Sequence, residues 1–224
     1  GDTRWVWTYT PPGYETGSAK LPVLYLLHGS NDTAGGWVLA GHANFILDNL
    51  IAEKKAVPMI VVMPYTHAVP FGSPREIQAT NVEKFRDYLV GDVIPLIESK
   101  YRVKAGRENR AITGLSMGGG QALAIGMERM YLFSAVGAFS SAVPAEFESK
   151  FQQALAQPAK TNERLKLFWV GCGTDDFLFE RNQDLHQLLE KRGIRHTYRA
   201  TKGAHTYSVW REYLAEVVPM LFRW

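Results

Sequence analysis

The chain reads as an α/β protein, a mostly parallel twisted sheet with helices on both faces and no large lid domain. Three observations carry this reading. Strand-like and helix-like segments alternate from end to end, which is the pattern of βα units around a parallel sheet. Several strand candidates, such as "LPVLYLLHG" (21–29) and "VPMIVVMP" (57–64), are short and continuously apolar, as suits strands covered on both faces. The 224 residues are enough to bury one core and too few for two full domains, so residues 1–224 are read as one unit.

Taken in order, "RWVWTYT" (4–10) alternates by two and runs into the turn-rich "PPGYETGSAK", which predicts an early edge hairpin. Between the first two buried strands, "HANFILDNLIAEKK" sets Phe45, Ile46, Asn49 and Leu50 at helical spacing and ends in two lysines, favourable at a helix C-terminus. Residues 81–101 form a second long helix candidate, with Gly91 and Pro95 predicting a kink. "RAITGLS" then reads as a strand, "MGGGQALAIGMERM" as a helix, and "FSAVGAFSS" and "LKLFWVGCG" as strands. "FERNQDLHQLLEKRG" is a helix closed by Gly193, "IRHTYRAT" a strand and "HTYSVWREYLAEVVPMLF" the closing helix. The longest irregular pieces, 65–80 and 140–164, both follow strands. Ligands of open α/β sheets bind beyond the carboxyl ends of strands, so both are expected substrate walls.

Composition narrows the function. The net charge is +3 and no run of five or more basic residues occurs, which argues against nucleic acid and anionic membrane as partners. No stretch of eighteen apolar residues is present, so no membrane span is predicted. Cys172 is the only cysteine, which rules out an internal disulfide and cysteine-based metal clusters.

"TGLSMGG" places Gly114, Ser116 and Gly118 as Gly-x-Ser-x-Gly. Alone this is weak, since a chain of this length holds one by chance roughly once in fifteen. Its position between a strand and an Ala-rich helix is what a nucleophile elbow requires. A serine in such a strained turn projects its hydroxyl above the sheet, and the helix behind it aims unpaired amides at the reaction site. Serine also needs a neutral imidazole oriented by a carboxylate. In hydrolases of this type the order is Ser, acid, His, which leaves His186, His196 and His205. His186 falls mid-helix and His196 mid-strand, whereas His205 lies in the loop "KGAHTYSVW" and is the expected base. Because the base must start neutral, activity is expected to fall at acid pH.

"HGS" (28–30) follows the strand expected beside the nucleophile strand, so the Ser30 and Met117 backbone amides are the expected oxyanion donors. The acid should follow "LKLFWVGCG", where Asp175 and Asp176 stand together. Adjacent residues of an extended loop point apart, so one of them reaches His205 while the other is free to cap the next helix. Trp37, Tyr207 and Trp210 lie close in sequence to these loops and are candidate walls for a flat acyl group, although core packing explains each equally well.

The ordered set "YTPPGYE", "LPVLYLLHGSNDTAGGW", "NRAITGLSMGGGQAL", "VGAFSSA", "GCGTDD" and "GAHTYSVW" resembles the feruloyl esterases of carbohydrate esterase family 1, in the esterase D group of α/β-hydrolases, over nearly the whole chain. The resemblance implies an α/β-hydrolase fold and a secreted or periplasmic serine esterase that needs no metal or other cofactor. Such an enzyme removes hydroxycinnamoyl or acetyl groups from plant polysaccharide and is often fused to xylanase or carbohydrate-binding modules. The family's Gly-Thr-x-Asp spacing makes Asp176 the acid, while alignment on the Phe177–Leu178 pair would make it Asp175. An acetyl esterase or S-formylglutathione hydrolase is the alternative within this mechanism, and a catalytically idle carbohydrate-binding module is the alternative outside it.

Overall fold

The apolar runs of the sequence pair with one another, because strands with no polar face are satisfied only between other strands and under helices. The computed structural model describes residues 3–224. Seven strands, β1 (Val6–Tyr9), β2 (Val23–Leu27), β3 (Ile60–Pro64), β4 (Arg110–Leu115), β5 (Ala135–Phe139), β6 (Leu167–Gly173) and β7 (Thr197–Thr201), make one sheet in the order β1-β3-β2-β4-β5-β6-β7. All neighbours are parallel except β1 and β3. The expected early hairpin is not formed. β2 is buried along its whole length and has both edges taken by β3 and β4, so β1 pairs antiparallel with β3 at the rim, Val6 opposite Pro64.

Helices α1 (Gly36–Leu39), α2 (Ala43–Ala52), α3 (Arg75–Gln78), α4 (Asn81–Tyr88), α5 (Ile94–Lys100), α6 (Ser116–Glu128), α7 (Phe147–Lys150), α8 (Gln152–Leu155), α9 (Pro158–Arg164), α10 (Phe179–Lys191) and α11 (Tyr207–Val217) fill the connections. The twofold alternation of β2 divides them between the faces. Val23, Tyr25 and Leu27 pack with Phe85 of α4, Leu123 of α6 and Leu189 of α10. Leu24 and Leu26 pack with Leu47 of α2 and with Tyr213 and Leu214 of α11.

The kink in the 81–101 helix is a π turn, Leu89–Val93, which contains Gly91 and hands over to α5 with Pro95 in its first turn. Proline has no N–H for the regular ladder, and a wider turn absorbs the missing bond. Segment 140–164 is less irregular than its composition predicts. It folds into the short α7–α9, whose Phe147, Phe151 and Leu155 belong to the core. Gly193, at φ 67°, ends α10 as expected, with the Ile194 amide donating back to Leu189 O at 2.9 Å.

From β2 the chain crosses to β3 on one side, while β4 leads to β5 on the other. The carboxyl ends of β2 and β4 therefore flank the point where the winding reverses, where open α/β sheets place their sites.

Candidate active site

Ser116 stands at that point, directly after β4, with φ 53°. This left-handed conformation is unfavourable for a residue with a Cβ and persists only where surroundings enforce it. The surroundings here are backbone. A Cβ on Gly114 would lie 2.5 Å from Gly118 O, and one on Gly118 would lie 2.4 Å from His28 O, so the two motif glycines are what lets the elbow close against the end of β2. Gly118→Ala is expected to cost about 2 kcal/mol of unfolding free energy through overpacking and to lower the reactivity of Ser116 with it. Denaturant melts paired with rates check this, and wild-type values in both would refute the packing account.

The imidazole of His205 follows β7, and its Nδ1 lies 2.8 Å from Asp176 Oδ2. The Asp176 side chain is wholly buried and that of His205 is one-fifth exposed. Leu178 N–H donates to the second oxygen, Oδ1, at 2.8 Å, so the carboxylate is held at both ends. With Nδ1–H donating to Asp176, Nε2 is left as the acceptor. The ring is also boxed in by Trp210, edge-on at 4.8 Å, and by Phe177 at 4.5 Å. Ser116 and His205 line one cleft of about 280 Å³, together with Ser30, Asp32, Tyr207 and Trp210. A larger cavity of about 520 Å³ lies by Met127 and Met130, at the opposite end of α6 from Ser116. Its lining includes neither a serine nor a histidine.

Asp175 does something other than the helix capping expected of the second aspartate. Its Oδ2 accepts from Gly203 N–H at 3.3 Å and its own N–H donates to Gly203 O at 3.0 Å. It therefore pins the loop that carries His205. The turn before α10 is closed by Asp176 itself, through Leu178 N–H. His186 and His196 contact each other at 2.8 Å on α10 and just before β7, and neither is among the lining of the cleft.

The Ser30 amide is oriented by His28, which is 1% exposed. Thr66 N–H donates to His28 Nε2 at 3.0 Å, which puts the ring proton on Nδ1, where it donates to Gly29 O at 2.8 Å. In a trans peptide the N–H points opposite the C=O, and the described residues contain no cis bond. The Ser30 N–H therefore points away from His28. Gly29 itself packs on the elbow, since a Cβ there would lie 3.3 Å from Ser116 Cβ. Met117 lies in the first turn of α6, whose leading amides have no partner within a helix.

Of the aromatic candidates, Tyr207 and Trp210 line the cleft. Trp37 is fully buried, donates from Nε1 to Leu27 O at 3.0 Å, and meets the site only through the edge of Tyr207. Neither 65–80 nor 140–164 is in the lining. Segment 65–80 instead braces the site from behind, with His67 Nε2 2.6 Å from Ser30 O. His67, Phe177 and Asp32 are residues that sequence reasoning missed. The available signal was position, since each follows a strand's carboxyl end.

The Esterase family model matches residues 1–221 of this chain. The chain belongs to the Esterase family. This esterase is 33% identical over 222 residues to an endo-1,4-beta-xylanase/feruloyl esterase of Xylanibacter ruminicola, a match that covers 96% of the chain and 29% of that longer protein. It is 24% identical over 238 residues to an acetyl esterase of Caldicellulosiruptor saccharolyticus, covering 92% of the chain and 84% of the relative. Among solved structures, a ferulic acid esterase superposes with a TM-score of 0.82 at 29% identity, over 98% of this esterase and 92% of that chain. The fold is thus that of the α/β-hydrolase esterases, as the sequence predicts.

Proposed function

We propose that this esterase is a serine carboxylesterase that hydrolyses hydroxycinnamoyl esters, feruloyl above all, on plant cell-wall polysaccharide such as arabinoxylan. The observation that carries the reading is the contact of His205 Nδ1 with Asp176 Oδ2 at 2.8 Å, at the edge of a cleft that also receives Ser116. In the proposed reaction Ser116 Oγ attacks the ester carbonyl while His205 Nε2 takes its proton. The Ser30 and Met117 amides receive the developing oxyanion. Collapse breaks the bond to the leaving alcohol, which takes the proton from His205. Water, deprotonated by the same imidazole, then splits the acyl-enzyme and restores Ser116. Asp176 keeps the imidazole in the required tautomer and takes no proton itself.

The feruloyl assignment is supported by the names of the 33% identical relative and the 29% identical structure. The acetyl esterase among the relatives supports the second reading, removal of acetyl groups. The proposed setting is extracellular or periplasmic, with this catalytic unit working beside a xylanase as in the Xylanibacter relative. Rates on methyl ferulate, acetylated xylan and S-formylglutathione decide among these readings. Cleavage of methyl ferulate that disappears in Ser116→Ala is the expected result. Acetyl release from xylan with no ferulate cleavage would replace the main reading by the second. Full biological effect from Ser116→Ala would instead point to a binding module.

A further inference from the structure

The cleft wall holds a carboxylate that ester hydrolysis does not use. Asp32 lies two residues beyond Ser30 and lines the same cleft as Ser116 and His205. It is fixed from three directions. Thr33 N–H donates to Oδ1 at 2.7 Å, and the Tyr207 hydroxyl donates to Oδ2. The carboxylate also rests on the backbone of Gly36, where a Cβ would fall 2.2 Å from either oxygen. Tyr207 is itself wedged edge-on between Trp37 at 5.5 Å and Trp210 at 5.1 Å. Burial, and then the neighbouring Asp32, push its phenol far above the ordinary range, so it remains a donor. A side chain held this way does not swing aside from an incoming charge. Among the described residues, the lining of this cleft includes no lysine or arginine to neutralise it.

We propose that Asp32 is the charge filter of this esterase, favouring esters of uncharged, hydroxyl-bearing alcohols such as neutral sugars over esters whose leaving group carries a carboxylate. The inference rests on the reading of Ser116 and His205 given above. A sugar hydroxyl donates to the free lone pairs of Asp32, whereas a uronic acid or a glutathione thioester brings like charge to them. Tyr207 ties Asp32 to the first turn after His205, on the side where the leaving group is protonated, so the discrimination falls on the alcohol or thiol rather than on the acyl group.

The test uses two acetates that differ chiefly in leaving-group charge, para-acetoxybenzoate and the neutral para-acetoxybenzamide, assayed with the wild-type chain, Asp32→Asn and Tyr207→Phe. The wild type is expected to prefer the neutral amide-bearing acetate, and Asp32→Asn to reduce the ratio of the two kcat/KM values by about tenfold. Tyr207→Phe, which keeps the carboxylate, should retain the preference. Raising the salt concentration should shrink the wild-type ratio and leave the Asp32→Asn ratio unmoved, and the wild-type half of that measurement stands even if the variant fails to fold. If Asp32→Asn slows both acetates in proportion, and salt leaves the wild-type ratio unchanged, Asp32 is a structural strap and the inference falls. Methyl ferulate is run in parallel. A charge-dependent acetate ratio without ferulate cleavage would preserve the filter and remove the feruloyl reading, and a chain that cleaves no ester would overturn both.

Discussion

Asp176→Asn is expected to lower kcat by on the order of 10⁴-fold, with Asp175→Asn costing at most about tenfold. The difference follows from which donors each carboxylate serves. Leu178 N–H must find an acceptor at Oδ1 of Asp176, so an asparagine there turns its carbonyl oxygen to Leu178 and its NH₂ to His205. A donor facing Nδ1 forces the ring proton onto Nε2, which can then no longer accept a proton from Ser116. The side chain at 176 is wholly buried, so water does not repair the pairing. Asp175 is exposed and holds one backbone amide, Gly203 N–H, at 3.3 Å, and asparagine retains that acceptor. Turnover of an activated aryl acetate, with circular dichroism melts to exclude misfolding, reads both variants. A larger loss at Asp175 would transfer the role of acid to it.

The legibility of this site in the sequence tracks how local each signal is. Ser116 was legible because its motif, the strand before it and the helix after it are contiguous, and the glycines report backbone contacts that chain order already brings together. The buried strands were legible because a parallel sheet covered on both faces leaves no polar positions. Pairing was less so. β1 joins β3 because β2 has no free edge, a condition that no residue in 4–20 encodes. Segment 140–164 hid its helices because α7, α8 and α9 lack side-chain N-caps and two of them are single turns. Trp37 was placed near the site by sequence distance, but the direction it faces is set by α1, which turns it into the core. Asp32 gained its meaning from Tyr207, 175 positions away, a separation that spacing rules do not reach.

His28→Phe is expected to act on catalysis and on stability through one loss, that of a ring with a donor on one side and an acceptor on the other. Phenylalanine keeps the volume approximately but removes the hydrogen bond to Gly29 O that sets the Gly29–Ser30 peptide plane, together with the acceptor for Thr66 N–H. A misaimed oxyanion amide should lower kcat by about 10²- to 10³-fold, with little change in KM, because the donor acts where charge develops in the transition state. Stability carries a second signature. Burial pushes the His28 imidazole down to about 4, against about 6.5 in an unfolded chain. Between those values the unfolded state binds the proton and the folded state does not, so folding stability is complete above about pH 6.5 and falls as pH drops towards 4. For this one group the loss between pH 7.5 and 4.5 is about 2 to 3 kcal/mol. The lowered His196 imidazole adds a loss of the same sign, and acidic groups contribute slopes of their own, so the comparison that isolates His28 is wild type against variant. His28→Phe should be less stable at pH 7.5, by about 1 to 3 kcal/mol for the unpaired Thr66 amide, and should lose less than the wild type on acidification. Urea unfolding at both pH values reads this directly. Parallel pH slopes would mean that His28 takes up its proton as readily in the folded state as in the unfolded chain, and the acid-dependent loss assigned to its burial would have to be abandoned.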